Sequence, residues 1–359
     1  MPHTYIIAEA GVNHNGSLET ALSMVEAAVY AGADAVKFQT FNPEALVSQT
    51  APKADYQKKH TAEHESQLDM LRRLVLSEQA HQTLVSYCSQ LGIDFLSSPF
   101  DAKSAGFLCH TLDLPRIKLG SGEITNGPLL LQIAQTGKHV ILSTGMSALD
   151  DIETALGVLA FGYTQAGNTP PSLVAFQQAY ASSPGQQALL GKVILLHCTT
   201  EYPCPYEDVN LKAMETMSHS FGLPVGFSDH TQGVAVSVAA VARGATIIEK
   251  HFTLSRQQAG PDHQASLEPD ELKRLVTEIR AVEQALGEAL KCPAPSELKN
   301  QAIARKSLVA ARPIAKGELF TPQNLTAKRV GGGISPMRFW DLLGCIADRD
   351  YAIDEEIVL

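Results

Sequence analysis

The stretch GATIIEKHFTL, residues 244–254, decides how this chain folds. Ala245 to Ile248 form an apolar, β-prone run, and Glu249, Lys250 and His251 follow with no turn residue between. Charged side chains are rarely fully buried unless they are paired or coordinate something. A strand ending in a carboxylate, an ammonium and an imidazole therefore needs a site at its C-terminal end to receive them. Side chains two apart on a strand share a face. Glu249 and His251 thus point one way, and Lys250 points the other, toward the helical shell or, by snorkelling, toward solvent.

Seven further runs have the same form: TYIIAEAG (4–11), ADAVKFQT (33–40), DFLSSPF (94–100), PRIKLGSGE (115–123), HVILSTG (139–145), KVILLHCTT (192–200) and PVGFSDHT (224–231). Amphipathic helical stretches separate them at 18–33, 77–92, 126–137, 147–162 and 231–245, several followed by the glycine expected just past a helix end. Eight strands alternating with helices predict an α/β fold of the (β/α)8 TIM-barrel type. An open doubly wound sheet is disfavoured, because no GxGxxG follows the first strand. In nearly every run the apolar half comes first and the polar residues last, and the C-terminal rim is where barrel enzymes place their chemistry.

Two segments depart from the alternation. Residues 41–75 follow the second strand and are expected on the catalytic face, where they could cover the site. Residues 163–191 fall between a helix and the next strand, which places them on the opposite face. The barrel domain is read as 1–288. Residues 289–304, charged and proline-containing, read as a linker, and 305–359 read as a small β-rich module.

With 359 residues and a hydrophobic fraction of 45%, the chain has ample core for a large domain. A net charge of −10 argues against nucleic acid as a partner. The apolar runs fall short of the roughly 20 residues that cross a bilayer, and the N-terminus lacks a leader pattern, so a cytoplasmic location without membrane contact is expected. Six scattered cysteines without a CxxC pair read as free thiols.

The rim residues group by chemistry. His230 and His251 lie at the ends of neighbouring strands, and two imidazoles with open positions beside them suit a metal ion. Lys37 and Lys118, with Ser98, Ser121, Ser143 and Ser228 on other strands, suit a phosphate or phospho-carboxylate ligand. Glu9, Glu123 and Glu249 are candidates for proton transfer. Spacing does not assign acid or base among them. His14 reads as a loop or capping residue.

At these residues the chain resembles the sialic acid synthase (N-acetylneuraminate synthase) family. The likeness runs through IAEAGVNHNGS (7–17), KFQTF (37–41), SSPFD (97–101), KLGSGEI (118–124), ILSTGM (141–146), LHCTTEYP (196–203), GFSDHT (226–231), EKHFT (249–253) and GPDHQASLEP (260–269). The tail, from RKSLVA (305–310) through KGELFTPQNLTAKR (316–329) to GGGISP (331–336), resembles the family's antifreeze-like (SAF) domain. The resemblance implies condensation of phosphoenolpyruvate with an open-chain N-acetylated hexose, N-acetylmannosamine first among them, giving N-acetylneuraminate and phosphate. The alternative within the family is a legionaminic or pseudaminic acid synthase acting on a 2,4-diacetamido-trideoxy hexose. The resemblance also implies a divalent metal on His230 and His251, usually manganese, with magnesium or cobalt as alternatives. It assigns Lys37, Ser98, Lys118, Ser121, Ser143 and Ser228 to phosphoenolpyruvate, and Glu9, Gln39, Tyr202 and Asp262 to the sugar. Arg329 matches an arginine that reaches the sugar in the partner's site of a domain-swapped homodimer. The chain departs from the family pattern at Thr200, Ser98 and Val330, where asparagine, threonine and proline are common.

Two other readings compete. A synthase for a phosphorylated sugar, or a simple aldolase, would carry a further cationic cluster, which is not evident. A non-enzymatic ice- or carbohydrate-binding role would want a flat surface poor in charge, unlike AKR (327–329) and DRDYAIDEE (348–356).

Overall fold

A computed structural model describes residues 3–49, 51–53, 66–164 and 169–358. The chain divides into two compact units, residues 1–287 and 288–359. In the first, eight parallel strands run β1 (Tyr5–Gly11), β2 (Ala35–Thr40), β3 (Asp94–Pro99), β4 (Arg116–Leu119), β5 (His139–Ser143), β6 (Val193–His197), β7 (Val225–Asp229) and β8 (Ile247–His251). Their hydrogen-bonded order, β3-β2-β1-β8-β7-β6-β5-β4, is cyclic. The first and last strands pair in mid-sheet, and only the seam between β3 and the four-residue β4 lacks a ladder. This is the (β/α)8 barrel.

The barrel interior is layered. Ile7, Ala35, Leu96, Ile141, Leu196 and Ile247 form a separate apolar cluster inside it, below the polar rim. Gly226 belongs to that packing, since a Cβ there would come within 2.6 Å of the Ile247 carbonyl and 2.7 Å of Leu196 Cδ2. A larger core fills the space between the strands and the surrounding helices.

The helices form where sequence supplies both a stripe and caps. In 18–31, Ala21, Met24, Val25 and Ala28 recur at three- and four-residue spacing on the buried face. Ser17 caps its start by accepting from the Thr20 amide, and Gly32 ends it in the left-handed conformation. Ser77 and Gly92 do the same for 78–91. Two further helical segments, at 102–111 and 212–221, have no counterpart in the sequence reading. Both are short and lie close to strand ends.

The excursion after β2 holds helices at 43–46 and 67–74, while residues 54–65 lie outside the described residues. The segment before β6 holds helices at 173–181 and 183–192, and its residues 165–168 likewise lie outside. In the second unit, the segment read as a linker carries an exposed helix at 298–304. Beyond it β9 (Ser307–Ala310) pairs antiparallel with β10 (Leu325–Lys328), over a core that includes Leu308, Ile314, Phe320 and Tyr351. Among the described residues no helix is long and apolar enough to cross a membrane. All six cysteines are free.

Candidate active site

Strand register assembles the rim. Glu9 on β1 stands beside Lys37 on β2 and beside His251 on β8. Ser228 on β7 stands beside Glu249, and Gln39 beside Ser98. The ladder between β1 and β2 slips between Glu9 and Gly11. Gly11 sits there at φ +55°, and a Cβ on it would approach Glu9 Oε1 to 3.3 Å and His251 Cε1 to 3.6 Å. The turn needs the left-handed conformation and the site needs the space, so glycine serves both.

At the centre lies a buried ion network. Lys37 Nζ is 2.7 Å from Glu9 Oε2 and 3.6 Å from Glu249 Oε2, and Lys118 Nζ is 3.3 Å from Glu249 Oε1. Ser228 donates to Glu249 Oε1 at 2.8 Å, and Lys37 donates to Ser98 Oγ at 3.3 Å. Burial pushes the Glu249 carboxyl up, but Lys118, Lys37 and the Ser228 hydroxyl together outweigh it and hold it in its charged form. Burial raises the Glu9 carboxyl to about 7, ahead of the opposing pull of Lys37. Burial also lowers the Lys118 ammonium, and Lys37 adds to that, whereas Glu249 and Glu9 outweigh burial at Lys37 and raise it. Two carboxyls that share Lys37 are thus held in opposite tendencies, the arrangement that separates an acid from a base.

The two histidine rings face one another with centroids 5.6 Å apart. Tyr202 packs on both, 4.2 Å from the His230 ring and edge-on at 5.6 Å to His251. His230 Nδ1 lies 2.6 Å from the Thr199 carbonyl, which fixes that nitrogen as the donor and leaves Nε2 with its lone pair. His251 Nδ1 is buried with no hydrogen-bond partner among the described residues. Burial holds His230 down to about 4, and burial together with His230 and Lys37 depresses His251 further, so both imidazoles are neutral at pH 7. Two neutral imidazoles, each with one nitrogen lone pair and with His230 Nε2 3.3 Å from Ser228 Oγ, fit a borderline divalent cation that keeps open positions. No cluster of three or more His, Cys, Asp or Glu residues arranged for a metal exists among the described residues.

Hydroxyl donors complete the other side. Ser121 Oγ accepts from the Gly145 amide at 2.9 Å and lies 3.1 Å from Cys198 Sγ. Ser143 Oγ is buried without a partner among the described residues. Gly145 is again a matter of room, because a Cβ there would fall 2.3 Å from Thr200 Oγ1.

Asp262 lies on the long connection after β8. That connection is latched to the β1 turn by Asn13, which donates to the Phe252 carbonyl at 2.8 Å and to Ser266 Oγ at 3.0 Å. His263, wedged between Thr253 Oγ1 at 2.7 Å and Asn15, holds the same connection. Burial pushes the Asp262 carboxyl up to about 6. His14 plays the capping part read for it, accepting from the Gly16 amide.

Every residue assigned from the sequence to substrate, metal or proton transfer, apart from Glu123 and Arg329, borders one cavity of about 290 Å3. Glu123 does not border it. Its carboxylate accepts from Asn126 at 2.7 Å, at the turn that starts the next helix. Arg329 belongs to the second unit, where it is exposed beyond β10.

Of the two surroundings read for Lys250, helical shell or solvent, the structure shows the shell. Lys250 points away from the barrel interior, but it is only 1% exposed and pairs with Asp229 at 3.0 Å. Thr231 and Ser237 also donate to Asp229, so the pair is sealed between strand and helix. Other cavity residues had no sequence assignment: Cys198, and the apolar group Leu46, Val47, Met70, Leu71 and Leu74 from the β2 excursion. For the latter the signal was present, since Met70, Leu71 and Leu74 have helical spacing in QLDMLRRL.

An eight-stranded parallel barrel whose C-terminal rim joins two lysines, ionised and protonatable carboxyls and paired imidazoles is the framework of a barrel synthase. Comparison with known proteins narrows the class. The chain belongs to the NeuB family, whose model matches residues 24–291, and a SAF domain model matches residues 305–357. NeuB-family synthases are phosphoenolpyruvate-dependent condensing enzymes, and this chain is a carbon–carbon bond-forming transferase of the sialic acid synthase type. Members of the family are generally metal-dependent.

It is 48% identical over 357 residues to an N,N'-diacetyllegionaminic acid synthase of Campylobacter jejuni, covering 99% of each chain. It is 43% identical to the Legionella pneumophila enzyme of the same name, over 95% of this chain and 89% of that one. The crystal structure of N-acetylneuraminic acid (sialic acid) synthetase from Leptospira borgpetersenii superposes with a TM-score of 0.65 at 32% identity. That match covers 83% of this chain and 90% of the other.

Proposed function

We propose that this protein condenses phosphoenolpyruvate with a 2,4-diacetamido-2,4,6-trideoxy hexose and water, giving N,N'-diacetyllegionaminic acid and phosphate. The observation that carries the choice of sugar is the end-to-end identity of 48% to a synthase of that name. The sequence motifs alone put N-acetylmannosamine first, and the relatives move the balance to the alternative. A phosphorylated sugar is disfavoured by the cavity, where Lys37 and Lys118 are the only lysine or arginine side chains among the described residues.

In this reading Lys37 and Lys118, with Ser98, Ser121, Ser143 and Ser228, bind the phosphate and carboxylate of phosphoenolpyruvate. Incoming anionic groups take over part of the charge pairing that Glu9 and Glu249 provide in the structure. Gln39, Tyr202 and Asp262 hold the open-chain sugar. A divalent metal on His230 and His251, manganese by preference with magnesium or cobalt as alternatives, supplies Lewis acidity toward the sugar aldehyde. Carbon 3 of phosphoenolpyruvate forms the new bond to the aldehyde carbon, and the aldehyde oxygen gains a proton. Glu9, the carboxyl raised toward neutrality, is placed to handle that proton. Water adds at carbon 2 and loses its proton to Glu249, the carboxylate kept ionised by the lysines. The bond from carbon 2 to the bridging oxygen then breaks, phosphate leaves, and the remaining hydroxyl proton departs to form the ketone. Glu123 would enter only through rearrangement of the turn that ties it to Asn126.

Arg329 is assigned to the sugar bound by a second subunit of a domain-swapped homodimer; a monomer in sedimentation would contradict this. The reaction itself is tested by phosphate release and product mass with manganese. Turnover of the diacetamido hexose in preference to N-acetylmannosamine is expected. Turnover of N-acetylmannosamine alone would overturn the proposal.

A further inference from the structure

One wall of the cavity differs in kind from the rest. The segments around the helices at 43–46 and 67–74 pack a separate apolar cluster over the barrel mouth, with Met70, Leu71 and Leu74 buried beside Val12 and Phe41. Leu46, Val47, Met70, Leu71 and Leu74 border the cavity, and these two helical segments place no charged side chain on it among the described residues. Gln67 is the one polar side chain they contribute to its lining. Opposite them stand the lysines, carboxylates and imidazoles of the strand ends.

The acceptor sugar has a fixed polarity in such a cavity. Its aldehyde carbon must meet the phosphoenolpyruvate carbon beside the lysines, so its far carbons are directed away from the strand ends toward what remains of the lining. A hydroxyl set against Leu46, Val47 and Met70 would give up its bonds to water without replacement. A methyl group there loses nothing and gains burial.

We infer that the apolar wall of Leu46, Val47, Met70, Leu71 and Leu74 selects the acceptor by receiving its 6-methyl end, with Gln67 as the amide partner for the far acetamido group. These are specificity residues, acting on the part of the sugar that does not react. The inference rests on the proposed function and deepens it, from the family of acceptors to the atom that this wall recognises. A wall of this kind discriminates modestly, because an apolar pocket rejects an added hydroxyl by about 100-fold at most.

The test compares two acceptors on the wild-type enzyme: the 2,4-diacetamido-2,4,6-trideoxy hexose and the same sugar carrying a 6-hydroxyl. A kcat/KM about 10- to 100-fold higher for the 6-deoxy sugar is expected. Equal or reversed values would overturn the inference while leaving the proposed function standing. Turnover of N-acetylmannosamine with neither diacetamido sugar accepted would overturn both. Two variants then locate the effect. Val47→Thr keeps side-chain shape and adds a hydroxyl, and Met70→Gln keeps length and adds an amide. Each is expected to narrow the ratio about fivefold or more, with KM for phosphoenolpyruvate in place. A ratio unmoved in both, with melting curves showing folded protein, would contradict the assignment to this wall.

Discussion

Strand β8 carries two buried charged groups on opposite faces, and the contrast between them separates structure from function. On the outer face Lys250 meets Asp229, which also accepts from the Thr231 amide and hydroxyl and from Ser237. Every strong acceptor there is used, and Lys250 donates to the Thr231 carbonyl as well. On the inner face Glu249 shares Lys37 with Glu9 and pairs with Lys118 as well, Ser143 and His251 leave polar atoms unpartnered among the described residues, and the group opens on a cavity. Burial is equally costly on both faces. A sealed and satisfied network holds strands in register. An incompletely satisfied one that faces a cavity has its missing partners in the ligand.

Breaking the inner group should cost activity most. Lys37→Met removes the cation shared by Glu9 and Glu249 and one of the two proposed to bind phosphoenolpyruvate. Loss of one partner of a buried charged pair is worth about 2 to 5 kcal/mol, so kcat/KM should fall by about 30- to 5,000-fold. Steady-state kinetics with saturating manganese would show it, and a loss below tenfold would remove Lys37 from the substrate site.

A second carboxyl sharpens the contrast on the stability side. Asp262 lines the cavity and its pKa is raised to about 6 by burial, whereas Asp229 is satisfied on both oxygens. A raised carboxyl pKa means that ionisation is harder in the folded state than in the unfolded one. Stability attributable to Asp262 is therefore intact below its ordinary value near 4 and is lost as pH rises through about 6. Asp262→Asn should match the wild type in denaturant melts at pH 4 and exceed it at pH 7, by up to about 3 kcal/mol. Equal stability at both pH values would show that the site solvates Asp262 well.

Much of this was legible in the sequence. Alternating apolar runs and helices gave eight strands, and strand parity put Glu249 with His251 and set Lys250 apart. Parity gives direction, but not what lies in that direction. Whether an outward lysine meets water or a helix depends on packing, here on Ser237 of the helix at 235–242. The apolar wall was hidden for a related reason. Leu46 and Val47 are separated from Met70 by more than twenty positions, and only the folded excursion brings them to one cavity. Glu123 was read into the rim group from its nearness to the end of a strand, and the short helical turn over 121–123 carries it aside.

The most direct test sets two adjacent residues against each other. Glu249→Gln and Lys250→Met would each be measured for kcat/KM and for unfolding free energy. The account predicts that Glu249→Gln loses about 10²- to 10⁴-fold in turnover of the folded protein, and some stability as well, because Lys118 loses its ion partner. Lys250→Met should instead lose about 3 to 5 kcal/mol of stability, because it strands Asp229 as a buried unpaired charge. Comparable losses of turnover per folded molecule in the two variants would contradict the division of β8 into a working face and a structural one.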